Sequence, residues 1–284
     1  MTRLLLLSVS AGNGHVRAAQ ALQAAAQRTM PADEAVHLDA MQFVASGFRK
    51  LYTDGYLRLV NRYPEMWSYL HQKTDSTPHT ATSQRLRRAM ERLSSGTLLK
   101  QVRQHAPQAI LCTHFLPAEL LLRERRQGRL SCPLWLQVTD YDLHNMWLVP
   151  EMDGYFAATD EVAHRMRERG LPAQRIHVTG IPVMPAFSNP TDPALARNTC
   201  ARQLGLAPAR PTVLVVSGGA GVGDLATMVA GLLALPGDFQ LIAVAGRNEE
   251  AHQALTALAP AHPGRLLAIA FTTEMHKLMA AADL

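Results

Sequence analysis

The stretch LLLLSVSAGNGHVRAAQALQAAAQRT, residues 4–29, decides how the rest of the chain is read. Residues 4–10 are a short apolar run of strand length, and residues 16–29 are Ala- and Leu-rich with helical spacing. Between them Ser10-Ala-Gly-Asn-Gly-His15 must turn the chain tightly. Glycines there let the backbone approach a ligand, and the helix start offers free N–H groups and the positive end of a dipole. The turn is not the dinucleotide fingerprint, because Arg17 stands where G-x-G-x-x-G needs its third glycine. His15 adds an imidazole at the helix N-terminus, where its pKa falls and a neutral base near pH 7 results. A capping role would serve the same residue without chemistry.

Working outward, strand and helix patterns alternate. Residues 109–113, 134–139, 154–158 and 175–179 read as strands, with helices over 115–126 and 161–169. That is the pattern of a parallel, doubly wound α/β sheet. A Pro-rich stretch over 180–193 follows and reads as a linker. Beyond it comes a second alternation: strand 212–217, Gly-rich turn 218–223, helix 224–235, strand 239–245, helix 249–259, strand 266–271 and helix 275–282. The expected division is a first domain over 1–180, a linker over 181–193 and a second domain over 194–284. Both halves open with strand, Gly-rich turn and helix.

Composition agrees. The 284 residues are 48% hydrophobic, too apolar for a disordered chain, and 6% aromatic, too few for an all-β sandwich or barrel. Cys112, Cys132 and Cys200 form no CxxC pair, which excludes a cysteine-built structural zinc and suits reduced thiols in a cytoplasmic protein. The N-terminal apolar run stops at Gly12-Asn13-Gly14-His15, too early for a secretory signal, and no stretch approaches the roughly 18 apolar residues of a membrane span.

The net charge of +5 is unevenly placed: residues 1–150 hold 18 Lys/Arg against 11 Asp/Glu, whereas residues 151–284 hold 10 against 12. Residues 49–103 alone carry 11 basic and 4 acidic side chains. Within the helical-looking segment 44–104 these mix with Tyr52, Tyr56, Tyr63, Trp67 and Tyr69, a combination suited to an anionic membrane surface. A solvated helix face explains the charge equally well, and no nucleic-acid motif accompanies it.

Two further stretches bear on chemistry. Ser217-Gly-Gly-Ala-Gly-Val-Gly223 lacks the Gly-Lys-Ser/Thr ending of an ATPase loop, yet its amides suit a pyrophosphate. Asp140-Tyr-Asp142 spells D-x-D, and with His144 nearby a divalent metal site is conceivable; a substrate-binding or capping role needs no metal.

The residues 10–19, Val138-Thr-Asp-Tyr-Asp-Leu-His-Asn-Met-Trp147, Tyr155-Phe-Ala-Ala-Thr-Asp160 and Val178-Thr-Gly-Ile-Pro-Val-Met-Pro-Ala-Phe187 stand in that order. The turn at Ser217 and Ala245-Gly-Arg-Asn248 follow. This ordered set resembles the family of monogalactosyldiacylglycerol synthases and processive diacylglycerol glucosyltransferases over nearly the whole chain. The resemblance implies a GT-B fold, two Rossmann-like doubly wound parallel-sheet domains facing a cleft. It implies inverting transfer of glucose or galactose from a UDP-sugar to diacylglycerol or a related lipid, without a metal or other cofactor. The enzyme would sit peripherally on the inner face of the plasma membrane, held by residues 49–103, with no nucleic-acid partner.

By position, the resemblance makes His15 the base that deprotonates the acceptor hydroxyl and Asp140 the group that orients or supports it. Gly12, Asn13, Gly14, His144 and Trp147 would bind the acceptor. Ser217, Gly218, Gly219, Gly221, Gly246, Arg247 and Asn248 would bind the donor. Two departures stand out: Met184 occupies a position where relatives usually carry arginine, and the sequence ends at Leu284 before a Lys-Pro-Gly-Gly-type turn and a Glu-bearing helix. The second domain is accordingly expected to be incomplete, with a raw sheet edge where its next strand would pair. Two other readings stand beside this one: a transferase adding N-acetylglucosamine to a polyprenyl-linked acceptor, and a non-catalytic module that binds anionic lipid.

Overall fold

A computed structural model of the chain describes residues 3–10, 13–30, 34–44, 95–188, 192–216 and 224–284. The chain forms two compact units, Met1–Pro185 and Ala186–Leu284.

In the first unit six strands make one parallel sheet: β1 (Arg3–Ser8), β2 (Glu34–Asp39), β3 (Ala109–Cys112), β4 (Leu134–Gln137), β5 (Gly154–Ala157) and β6 (Ile176–Val178). Their spatial order is β2-β1-β3-β4-β5-β6. The helices are α1 (Gly14–Thr29), α2 (Ser95–His105), α3 (Phe115–Arg126) and α4 (Asp160–Glu168). Leu5 and Leu7 of β1 point into a core with Leu98, Val102, Leu121 and Val162, which come from α2, α3 and α4. Leu6 points the other way, to Ala19 of α1 and Leu111 of β3. Successive strand residues face opposite sides, so a Leu run serves a sheet covered on both faces. The buried area of such leucines stabilises the unit by roughly 1.5–3 kcal/mol per side chain.

The order places a reversal between β1 and β3: the chain leaves β1 toward β2 on one side and continues through β3 and β4 on the other. Open α/β sheets bind ligands at the carboxyl ends of the strands beside such a reversal. The turns after β1, β3 and β4 are therefore where chemistry belongs.

The second unit has α5 (Pro193–Gln203), β7 (Thr212–Val216), α6 (Leu225–Leu233), β8 (Gln240–Val244), α7 (Glu249–Leu258), β9 (Leu266–Ile269) and α8 (Met275–Ala281). The strands pair in parallel in the order β7-β8-β9. Helix α5 starts inside the stretch read as linker, with Asp192 capping its first turn and Pro193 at its start, where a missing N–H costs nothing. The raw edge expected from the sequence is partly occupied. Asp283 N donates to Thr212 O (2.8 Å) and Leu284 O accepts from Leu214 N (2.7 Å), so the last residues run beside β7.

Strand β2 and helix α5 lie beyond the sequence reading, whereas α2 falls almost wholly in the segment 44–104 that reads as helical. Strand β2, Glu-Ala-Val-His-Leu-Asp, is an edge strand whose residues are only half-buried, so it lacks an apolar run. Helix α2 is the described end of the basic segment; residues 49–94, which hold most of that charge, lie outside the described residues.

Candidate active site

Three turns meet at the carboxyl edge of the first sheet. The turn after β1 delivers His15, the turn after β3 delivers Thr113 and His114, and the turn after β4 delivers Thr139 and Asp140. Asp39, at the end of β2, tethers the start of the Gly-rich turn by accepting from Ser10 N (3.1 Å).

His15 is half-buried in the first turn of α1. Its Nδ1 lies 3.1 Å from Thr113 O and 2.7 Å from Thr139 Oγ1. A carbonyl oxygen can only accept, so the Thr113 bond requires the proton on Nδ1 and leaves the lone pair on Nε2. Thr113, fully buried, returns the contact by donating its hydroxyl to His15 O (2.8 Å). Burial pulls the His15 pKa below its ordinary value of 6.5; the negative charge of Asp140 and the Thr113 bond oppose this without reversing it. His15 is therefore a neutral imidazole at pH 7 with a basic nitrogen available, the state a general base requires.

Around it stands an aromatic wall. The His114 ring meets His15 edge-on at 4.6 Å, and Trp147 lies 6.0 Å from both rings. His114 Nδ1 accepts from Leu116 N (3.1 Å) and caps α3, and burial drives its pKa well down. It stays neutral.

Of the two roles expected of Asp140, orienting or supporting the base, its contacts favour support. Its Oδ2 accepts from Trp147 Nε1 (2.7 Å) and lies 3.2 Å from His144 Nε2, so it reaches His15 as a charge. Burial would raise its pKa, but the bonds from His144 and Trp147 bring it below the ordinary carboxylate value. Asp142 faces Arg165 (2.5 Å) and Asp140 faces Trp147, so the two carboxylates of the D-x-D do not converge. Among the described residues no cluster of metal-ligating side chains occurs.

Of the residues expected to bind acceptor, Asn13 and Gly14 are exposed at the start of α1, while His144 and Trp147 are buried behind Asp140. Trp147 is fully enclosed and builds the wall of the site from behind. Gly12 lies outside the described residues, as do Ser217, Gly218, Gly219 and Gly221. In the second unit Gly246, Arg247 and Asn248 form the turn at the carboxyl end of β8. Gly246 has φ +66°, a conformation glycine adopts without strain. Arg247 is exposed and stacks over Phe271 at 5.1 Å, and Asn248 caps α7 by accepting from Ala251 N (3.0 Å).

Thr113, His114 and Thr139 carry no role in the sequence reading. The signal that finds them is their place directly after β3 and β4, and it becomes usable only with the strand order known.

The sequence profile of the monogalactosyldiacylglycerol (MGDG) synthase family matches residues 15–183. The chain belongs to that family. The match begins at His15 and spans the turns after β3 and β4 that build its site. Among curated relatives of this MGDG synthase family member is a processive diacylglycerol beta-glucosyltransferase of Staphylococcus epidermidis, 24% identical over 99% of this chain and 69% of that protein. The enzyme of the same name from Bacillus pumilus is 26% identical over 68% of this chain and 49% of its own length. Similar solved structures include Anabaena HepE in complex with UDP and glucose, with TM-score 0.52, 15% identity and coverage of 100% of this chain and 73% of that one. Another is the UDP-GlcNAc 2-epimerase of Neisseria meningitidis bound to UDP-GlcNAc, with TM-score 0.56, 13% identity and coverage of 99% and 76%. The fold is GT-B. It is shared by a sugar epimerase, so the reaction must be argued from the site.

Proposed function

We propose that this MGDG synthase family member transfers a hexose from a UDP-sugar to the hydroxyl of diacylglycerol or a related lipid, with inversion at the anomeric carbon. The observation that carries the proposal is His15: neutral, with its lone pair on Nε2, at the carboxyl edge beside the strand reversal. Family membership and the names of the curated relatives support the substrate class.

In the reaction His15 Nε2 takes the proton of the acceptor hydroxyl as its oxygen attacks C1 of the sugar. The bond from C1 to the UDP oxygen breaks, and its electron pair leaves with UDP. Asp140 stabilises the imidazolium through space. The negative charge growing on UDP would be met by the N-terminus of α6 and by Arg247. Each supplies positive charge without a metal ion. Acceptor would lie against the first unit and donor against the second, on domains over 1–180 and 194–284 joined by 181–193.

Among the described residues no helix is long and apolar enough to cross a membrane. The basic, aromatic segment 49–103 would hold the protein on the anionic inner face of the plasma membrane.

The test is transfer of radiolabel from UDP-glucose and UDP-galactose to diacylglycerol in anionic liposomes, with and without EDTA. Labelled glycolipid insensitive to EDTA is expected. Absence of label on diacylglycerol and on a polyprenyl acceptor, with liposome binding intact, would replace the transferase with a lipid-binding module.

A further inference from the structure

We propose that Thr139 is a positioning residue for the His15 imidazole, beside Asp140, to which the resemblance gives the role of orienting or supporting that base. This rests on His15 being the base of the proposed transfer, although the geometry concerns the free protein.

The Thr139 hydroxyl lies 2.7 Å from His15 Nδ1, the shorter of that nitrogen's two contacts. The two partners come from different strands: Thr113 follows β3 and Thr139 follows β4. The ring is thus held from two sides of the sheet edge: the Thr113 carbonyl sets its tautomer, and the second contact fixes its rotation. A single carbonyl would leave the ring free to pivot about one bond. Asp140, the next residue, has its hydrogen bonds turned to Trp147 and His144. One turn therefore supplies two separate things to the base, a short-range clamp from Thr139 and a charge from Asp140.

When His15 accepts a proton at Nε2, its Nδ1–H becomes a stronger donor and both oxygens gain from it. The clamp thereby favours the protonated ring formed during transfer over the resting one. The other titratable groups facing His15 are Asp140, which opposes loss of that charge, and His144, which favours it, while His114 packs against the ring as a neutral group.

The experiment follows His15 in the wild type and in Thr139→Val, Thr139→Ser and Asp140→Asn, using protein with ¹⁵N-labelled histidine. Two-bond nitrogen–proton correlations report its tautomer and titration, and transfer to diacylglycerol is measured in parallel. The expected wild-type tautomer carries hydrogen on Nδ1. Thr139→Val should keep the tautomer, which the Thr113 carbonyl sets, but shift the titration to lower pH and reduce kcat about tenfold with KM little changed. Thr139→Ser should restore both the titration and kcat. Asp140→Asn should shift the titration downward while keeping the tautomer. A wild-type ring with hydrogen on Nε2, or a Thr139→Val protein with unchanged titration, would overturn the assignment whatever the activity. Failure of Thr139→Ser to restore the titration would do the same, since it would give the methyl group the role. If the nitrogen signals behave as expected and no acceptor is glycosylated, the proposed transfer fails and the clamp stands.

Discussion

Removal of the Asp140 carboxylate is the most direct probe of how the site is held up. Trp147 is fully buried, and its indole N–H donates to Asp140 Oδ2 at 2.7 Å. In Asp140→Ala that donor is left in an apolar wall made by Phe115 and His114. A buried donor without a partner costs about 1–3 kcal/mol. The 3.2 Å contact to His144 goes as well, adding roughly 1 kcal/mol. The Asp140 side chain itself keeps 37% exposure, so its charge is partly screened and relief of its own desolvation returns little. The expected loss is about 2–4 kcal/mol at pH 7. Asp140→Asn keeps an oxygen where the indole needs one and should lose about 1 kcal/mol. Because the folded Asp140 pKa is lowered, its contribution is present above the unfolded value of about 3.9 and is lost as pH falls through the folded value. Wild type and Asp140→Ala should therefore converge in acid. Urea unfolding followed by near-ultraviolet circular dichroism of the tryptophans measures both. An Asp140→Ala protein no less stable than Asp140→Asn would refute the claim that the indole depends on this carboxylate.

Replacing His15 by Ala should lower transfer by about 10²–10⁴-fold with the fold retained, as removal of a general base does; a smaller loss in a labelled-lipid assay would remove it from that role. Burial lowers the pKa values of His15, His37 and His114, so the unfolded chain, with histidines near 6.5, binds more protons than the folded one in mild acid. Stability should hold above about pH 6.5 and fall below it, by up to about 1.4 kcal/mol per pH unit for each histidine, and a flat urea midpoint from pH 7 to 5 would contradict this. Gly154→Ala would bring a Cβ within 2.0 Å of the Trp135 ring, which itself stacks on Phe156. The expected cost is about 1–3 kcal/mol by thermal unfolding, partly relieved in the double variant with Trp135→Leu.

Much of the fold was legible because its signals are local. The apolar run at Leu4–Leu7, the glycines before His15 and the helix pattern after it each act over a few residues, and a buried parallel strand writes itself as a continuous hydrophobic stretch. The boundaries of Phe115–Arg126 can be read the same way, because His114 and a run of arginines mark its two ends. Strand β2 escaped because an edge strand need not be apolar, and α5 because a proline was read as a break where it opens a helix.

The chemistry divides along the same line. His15 and Asp140 were visible as residue types in suggestive places, and the order of motifs named the family. What each side chain touches was not visible, since His15 meets Thr113 across 98 residues and Thr139 across 124. Those contacts depend on β3 and β4 lying on the same side of β1, and strand order is a property of the packed sheet that no local pattern encodes. The sequence by itself therefore determined the α/β class and the family, and it singled out His15 as the candidate base. Only the tertiary structure decided that Thr113 and Thr139 contact His15 while Asp140 holds Trp147, because hydrogen bonds between distant turns exist only once the sheet has brought the turns together.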